Sequence, residues 1–331
     1  MAKKKIILAI DGGGIRGIIP GQILTHIEKL LQERHKDPDY RIADHFDMIA
    51  GTSTGGILAC AYLMPENGRP KYNANEVVNI YMDRGDDIFA IPLFYKIKSA
   101  GGLLDEKYPV DGLESALIDY FEDAKLSDLL KPSLITAYDI ERRKAHFFTQ
   151  HDAHKPGHNF YLKDVARATS ASPSYFEVSY VKSDADIHYP LIDGGIFANN
   201  PALCAYAEIR NKFSTKRKKI MAKDMKLLSL GTGHVNNSYS YLEARNWGLA
   251  AWTKPTMEMM MAGVSDTVDF QLRQIFESVD VSHQYLRIGG ELPPEADPNL
   301  DCVEPDNLEA LRKFGDYLFE KHKKEIIDFL F

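Results

Sequence analysis

Cysteine is scarce in this chain of 331 residues: there are three, Cys60, Cys204 and Cys302, an odd number without metal-like spacing. That excludes a disulfide framework and a thiolate zinc site, and reduced thiols are the simplest account. Basic excess is lacking too, since 40 Lys and Arg against 47 Asp and Glu leave a net charge of −7. With a pI near 5.9, the chain does not have the make-up of a dedicated nucleic-acid binder. No apolar run approaches the length of a membrane span, so any membrane contact is expected to be peripheral. The start Met1-Ala2-Lys3-Lys4-Lys5 imitates a signal peptide, but the apolar run behind it is short and ends in Asp11, so it reads as a first strand. Internal repeats and low-complexity segments are also missing. What remains is a globular composition, 44% hydrophobic and 26% charged, ample for one large α/β core.

Against that background one pentapeptide stands out. Gly51-Thr52-Ser53-Thr54-Gly55 follows the apolar run Phe46 to Ala50 and precedes the helix-like Gly56-Ile57-Leu58-Ala59-Cys60-Ala61-Tyr62-Leu63. This is the context of a nucleophile elbow, in which a serine sits on a sharp strand-to-helix turn and needs small neighbours two residues to either side. Gly51 and Gly55 supply them. The following helix aims its N-terminal N–H groups at Ser53 and favours negative charge there.

A second segment, Asp11-Gly12-Gly13-Gly14-Ile15-Arg16-Gly17, comes directly after the apolar run Lys5 to Ile10. Acyl transfer needs donors aimed at the oxyanion of a tetrahedral intermediate, and three glycines ahead of a helix present N–H groups with no side chain in the way. A third, Tyr189-Pro190-Leu191-Ile192-Asp193-Gly194-Gly195, places an acid at the end of a short apolar run. Taken alone, Asp193 also fits a turn-capping role before Asn199-Asn200-Pro201.

Together the three segments resemble the patatin-like phospholipase family, whose pattern is a D-G-G-G-x-R-G loop, a G-x-S-x-G serine and a D-G-G or D-G-A aspartate. Two further blocks are similar as well: Ala168 to Phe176 (ATSASPSYF) and Leu228 to Gly233 (LSLGTG). The resemblance implies Ser53 as nucleophile, Asp193 as its partner in a Ser-Asp dyad, and the N–H groups of Gly12, Gly13 and Gly14 as oxyanion hole. Arg16, Gly51, Gly55, Gly194 and Gly195 support them, and Arg16 is expected to brace the glycine loop. It implies no cofactor and no metal, a membrane or micellar lipid as substrate, no nucleic-acid polymer, and a cytoplasmic protein that visits membranes transiently. Some bacterial relatives depend on an activating protein or a nucleotide second messenger.

Other assignments compete at single points. A Ser-His-Asp triad would draw on His234, just after Gly233, or on His188, His45 or His283, none of which has a promoting context. Gly12 to Gly17 also fits G-x-G-x-x-G, the dinucleotide fingerprint, but the acids at the right distance, Asp37 and Asp39, lie in a polar turn. An Asp-Gly-Gly-Gly start is shared with sugar kinases, and a storage or scaffold protein of the same architecture is the non-enzyme alternative. None of the nucleotide readings explains Gly51 to Gly55.

Along the chain, Ile6–Ile10, Asp47–Ala50, Ser133–Asp139 and Lys226–Leu230 read as parallel strands in a doubly wound, three-layer α/β sheet with helices on both faces. Ala145–Gln150 and Val178–Ile192 add strands or a hairpin, making the sheet mixed. The spacing predicts one domain over 1–331, a motif-bearing core over about 5–235 and a helical extension over about 236–331. Helices are expected at Tyr241–Trp252, Pro255–Ser278 and Asn307–Phe331. Broken apolar sequence from Ile88 to Val110, with Phe89, Phe94, Tyr95 and Leu103, suits a lid or a packed insertion. Met257, Met259, Met260 and Met261 are read as core filling, with an acyl-accommodating surface as the alternative. The cations Arg210, Lys212, Lys216, Arg217, Lys218, Lys219, Lys223 and Lys226 read as a solvated loop, or as a face turned toward anionic lipid.

Overall fold

Burial on both faces of the first two strands builds the architecture, seen in a computed structural model that describes residues 4–88, 108–215, 219–235 and 238–331. Strand β1 (Lys5–Ile10) sends Leu8 and Ile10 into one apolar cluster and Ile7 and Ala9 into another. Strand β2 (Met48–Thr52) separates Ile49 from Met48 and Ala50 in the same way. Successive strand side chains point to opposite faces, so the sheet carries a core on each side. One core takes helices Ile18–His35, Thr54–Leu63, Ala74–Ile88 and Pro305–Leu330; the other takes Ala202–Lys212 and Leu249–Glu277. The expected three-layer α/β arrangement is therefore what the chain adopts.

After a two-residue hairpin of β3 (Pro65–Glu66) and β4 (Arg69–Pro70), the sheet continues with β5 (Ser133–Asp139), β6 (Lys144–Thr149), β7 (Ser179–Lys182), β8 (His188–Asp193), β9 (Met225–Leu230) and β10 (Tyr285–Ile288). The order is β10-β9-β1-β2-β5-β8-β7, with β6 pairing β5 as the eighth strand. The block from β10 to β5 is parallel, whereas β6, β8 and β7 join antiparallel, so the sheet is mixed as expected.

Register around β5 brings distant segments together. One edge of β5 is taken by β6 from Leu134 to Asp139. The other edge is shared: β2 pairs Ser133 to Thr136, and β8 pairs Ala137 to Asp139. Since β2 runs parallel to β5 and β8 antiparallel, the two strands meet head to head, Thr52 opposite Thr136 and Asp193 opposite Ala137. The C-terminal ends of β2 and β8 are thereby forced against each other.

Past Gly233 the chain is not wholly helical. Strand β10 extends the sheet beside β9, a four-residue run too short to announce itself in sequence. The expected Tyr241–Trp252 helix is broken into Tyr241–Ala244 and the start of Leu249–Glu277. Pro255, expected to open a helix, lies inside this one, where it forfeits one backbone N–H. Of the suggested lid, Phe89, Phe94, Tyr95 and Leu103 lie outside the described residues, as do Lys216, Arg217 and Lys218 of the basic cluster. Of its other members, Lys212 pairs with Asp152 and Lys226 donates to the Phe329 carbonyl. Among the described residues, no helix is long and apolar enough to cross a membrane.

Candidate active site

Ser53 occupies the turn between β2 and the helix Thr54–Leu63 with φ 53° and ψ −124°, a conformation that costs energy in any residue with a side chain. Small neighbours make the turn possible. A Cβ on Gly51 would lie 2.1 Å from the Gly55 carbonyl oxygen, and one on Gly55 would lie 2.2 Å from the Ile10 carbonyl oxygen. Behind the turn, Ser53 N–H donates to Thr169 Oγ1 at 2.9 Å, and Thr169 Oγ1 donates to the Thr136 carbonyl at 2.6 Å. The Thr54 side chain is fixed by Tyr81, hydroxyl to hydroxyl, at 2.6 Å.

Asp193 ends β8 and is 5% exposed. Its carboxylate faces the Ser53 hydroxyl across the shared cavity and accepts a hydrogen bond from Gly195 N–H at 2.7 Å. Burial raises its pKa from 3.8 to about 6, against the pull of Ser53 and of Gly195 N–H. Gly194 packs where a Cβ would meet Thr136 Oγ1 at 2.1 Å, so the turn after Asp193 is held against β5. The same carboxylate both caps its own turn and faces the serine, and the two uses predicted for it are compatible.

The glycine loop delivers fewer donors than its three glycines offer. Gly12 N–H is committed to the Asn199 carbonyl at 3.0 Å. Gly13 and Gly14 line the cavity with Ser53 and Asp193, and among the described residues neither N–H has a partner. Gly14 has φ +56°, and a Cβ there would lie 2.2 Å from the Leu300 carbonyl oxygen. Arg16 does not hold this loop: its Nε is buried without a partner, and burial lowers its pKa to about 10. The brace is Arg287, whose guanidinium bridges both oxygens of Asp11 at 2.8 and 2.6 Å and also reaches Ser229 Oγ at 2.8 Å. Thr232 Oγ1 adds a bond to the Gly12 carbonyl at 2.7 Å. Sequence reasoning gave no site role to Arg287, Asn199 or Thr169; Thr169 lay inside a marked block and Asn199 just past another, whereas Arg287 had no local signal.

Ser53 and Asp193 open into a cavity of about 210 Å³ with largely apolar walls. Among its described lining residues there is no histidine. His234 bridges to Glu291 and is exposed, His188 stacks on Tyr180, His45 packs on Phe46, and His283 is exposed. The methionines are not core filling: Met257, Met260 and Met261 line the cavity, while Met259 and Met260 are 44% and 52% exposed. Asp37 and Asp39 sit in the turn after the first long helix, as the polar sequence implied. Among the described residues one group has metal-like proximity, His151, Asp152 and Glu208 within 4.8 Å. Both carboxylates and His151 Nε2 are engaged, whereas among the described residues His151 Nδ1 is buried without a partner. Burial raises the Asp152 pKa, but ion pairs with Lys155 and Lys212 bring it down to about 2, and His151 Nε2 meets Glu208 Oε1 at 2.9 Å.

Chemically, a serine hydroxyl beside a buried carboxylate, with free N–H groups and an apolar cavity, can attack an ester carbonyl, pass its proton and stabilise the resulting oxyanion. Residues 8–206 match the family model described as patatin-like phospholipase. The chain belongs to the patatin-like phospholipase family. It is 32% identical to a patatin-like protein 2 of Oryza sativa subsp. indica, covering 98% of this chain and 86% of that one. It is 31% identical to a protein of Solanum tuberosum named probable inactive patatin-3-Kuras 1, covering 96% and 87%. Among solved structures, VipD from Legionella pneumophila aligns over 95% of this chain and 67% of its own, with TM-score 0.38 and 12% identity. Membership of the patatin-like family supports lipid acyl hydrolysis in general. The Solanum relative's name shows that membership and turnover are separable, so the case for activity rests on the site residues themselves.

Proposed function

We propose that this patatin-like protein hydrolyses fatty acyl esters of lipids, phospholipids foremost, through an acyl-enzyme on Ser53. Asp193 takes the Ser53 proton as the hydroxyl attacks the acyl carbonyl, and the oxyanion is met by Gly13 and Gly14 N–H. The positive end of the helix Thr54–Leu63 adds to that stabilisation. Collapse of the intermediate expels the alcohol, which receives the proton from Asp193. Water then attacks the acyl-enzyme with Asp193 again as base, releasing the fatty acid and restoring the serine. The observation that carries this is Ser53 set at one cavity with a buried carboxylate whose pKa burial raises to about 6, since an ordinary exposed aspartate is too weak a base to take a serine proton.

Lipid is taken from a membrane or micellar surface. Beside the cavity, Trp252 and Met259 are 39% and 44% exposed on the helix that carries Met257 and Met260 into the cavity wall. Tyr239, Trp247 and Trp252 meet edge to face in series there, with ring centroids 5.0 and 5.1 Å apart. Aromatic and thioether side chains suit the boundary between water and acyl chains.

Ser53→Ala, Asp193→Ala and the double variant should each lose roughly 10³-fold or more of turnover on both a water-soluble butyrate ester and phospholipid vesicles, with melting retained. The double variant should be little worse than either single one, because residues acting as a unit are strongly non-additive. Near wild-type turnover by a folded Asp193→Ala protein would overturn the dyad.

A further inference from the structure

Behind the catalytic cavity lies a second, smaller one of about 20 Å³, enclosed between the helices Ala74–Ile88 and Asp111–Phe121. Ile57, Tyr81, Ile88 and Leu113 line both cavities, so the two adjoin through a shared partition of side chains. By size the second cavity would hold about one water, but its walls are apolar and offer it no set of polar partners. A dry void in an otherwise close-packed core forfeits contacts on every wall. Its position suggests that something other than water fills it during function.

The second cavity points away from Ser53 along a helix face. Leu113, Ala116, Leu117, Tyr120 and Phe121 follow the i, i+3, i+4, i+7, i+8 pattern of one stripe. From Leu113 to Phe121 that stripe extends roughly 12 Å at 1.5 Å per residue. Leu113 belongs to the catalytic cavity as well, whereas Ala116, Leu117 and Phe121 belong to the second one alone. Phe121 is fully buried and Ala116 is 1% exposed, so the far end is closed and its depth is set by side-chain volume.

We propose that the two cavities form one acyl channel, and that Ala116, Leu117 and Phe121 set the length of fatty acyl chain it accepts. This rests on the acyl-hydrolase function proposed above. A short chain is housed entirely in the catalytic cavity. A long one displaces the Ile57 and Leu113 side chains to other rotamers and seats its terminal methyl in the second cavity. The chain end that fits the second cavity is an unbranched hydrocarbon, because its narrow walls are apolar and give a polar substituent no partner.

Burial of a methyl or methylene contributes about fourfold in affinity, so denying the chain end its place costs about fourfold. The test measures binding of palmitate and octanoate by calorimetry, and kcat/KM for the matching p-nitrophenyl esters. The proteins compared are the full chain, Ala116→Leu and Leu117→Ala. Ala116→Leu, which fills the second cavity, should weaken palmitate by about fourfold or more while octanoate stays within about twofold. Leu117→Ala, which enlarges it, should raise the preference for palmitate over octanoate. Equal losses on both chain lengths, or no change in either, in a folded Ala116→Leu protein overturns the channel. If Ala116→Leu does not fold, an unchanged or lowered palmitate preference in Leu117→Ala overturns it. A chain that binds palmitate with these shifts but hydrolyses neither ester keeps the channel and sinks the hydrolase assignment instead.

Discussion

Replacing Asp193 with asparagine should abolish hydrolysis and yet raise the melting temperature at alkaline pH. The carboxyl has a pKa of about 6 in the folded chain against an ordinary value of 3.8, a difference of about 2. At 1.36 kcal/mol per unit, that is about 3 kcal/mol. Its sign follows from proton counts: between pH 3.8 and 6 the folded state holds a proton that the unfolded chain has released. The contribution to stability is therefore fully present below pH 3.8, falls as pH rises through that window, and is absent above about pH 7. Asparagine cannot ionise, and it keeps an acceptor for Gly195 N–H. At pH 8 it should recover most of the 3 kcal/mol. With an unfolding entropy of about 2.1 cal/mol/K per residue, 331 residues give roughly 0.7 kcal/mol/K, and the gain corresponds to about 4 °C. Calorimetric melting of wild type and Asp193→Asn at pH 4, 6 and 8 is the assay. The gap should be near 4 °C at pH 8, still above about 3 °C at pH 6 and below about 1 °C at pH 4. A gap independent of pH, or a variant melting below wild type at pH 8, would refute the claim that an ionised, desolvated carboxylate is held beside Ser53. In parallel, kcat/KM of the wild type on a butyrate ester should fall tenfold per pH unit below about pH 6, as the base becomes protonated.

Arg287→Met should cost about 3–5 kcal/mol, because it leaves the buried Asp11 carboxylate without its bidentate partner. Adding Asp11→Asn to the same protein should recover part of the lost melting temperature, and no recovery would argue against the pair as the brace. Thr169→Val removes the acceptor of Ser53 N–H and should lower kcat about tenfold or more with little change in KM on a soluble ester. An unchanged kcat would show that the elbow holds Ser53 without that bond. Trp252→Ser with Met259→Ser should lower turnover on phospholipid vesicles roughly tenfold while sparing the butyrate ester. Equal losses on both substrates would remove this helix from the lipid surface.

What the sequence by itself determined was chemistry of short range. A serine between glycines two residues away on either side, after an apolar run, permits few conformations, so Ser53 was legible from Gly51 to Gly55. Likewise the glycines after β1 announced exposed N–H groups, and apolar runs with glycine or helix signals behind them announced the parallel strands. Asp193 was legible as a motif, though nothing local said that it faces Ser53. The tertiary structure decided that, because β2 and β8 share one edge of β5 and meet head to head at Thr136 and Ala137. It also decided which glycine N–H groups remain free, since Gly12 spends its own on Asn199 from a distant turn. Arg16 sat in the loop motif and was the natural brace by proximity, yet Arg287, arriving on β10, makes the paired contact with Asp11. The methionines were placed in the core because their hydrophobicity is the same on a cavity wall as inside it. Only the path of the helix Leu249–Glu277 leaves Met259 and Met260 exposed. A motif records what a few neighbouring residues can do with their own backbone, whereas partners across a sheet are chosen by strand register, which sums contacts from the whole chain.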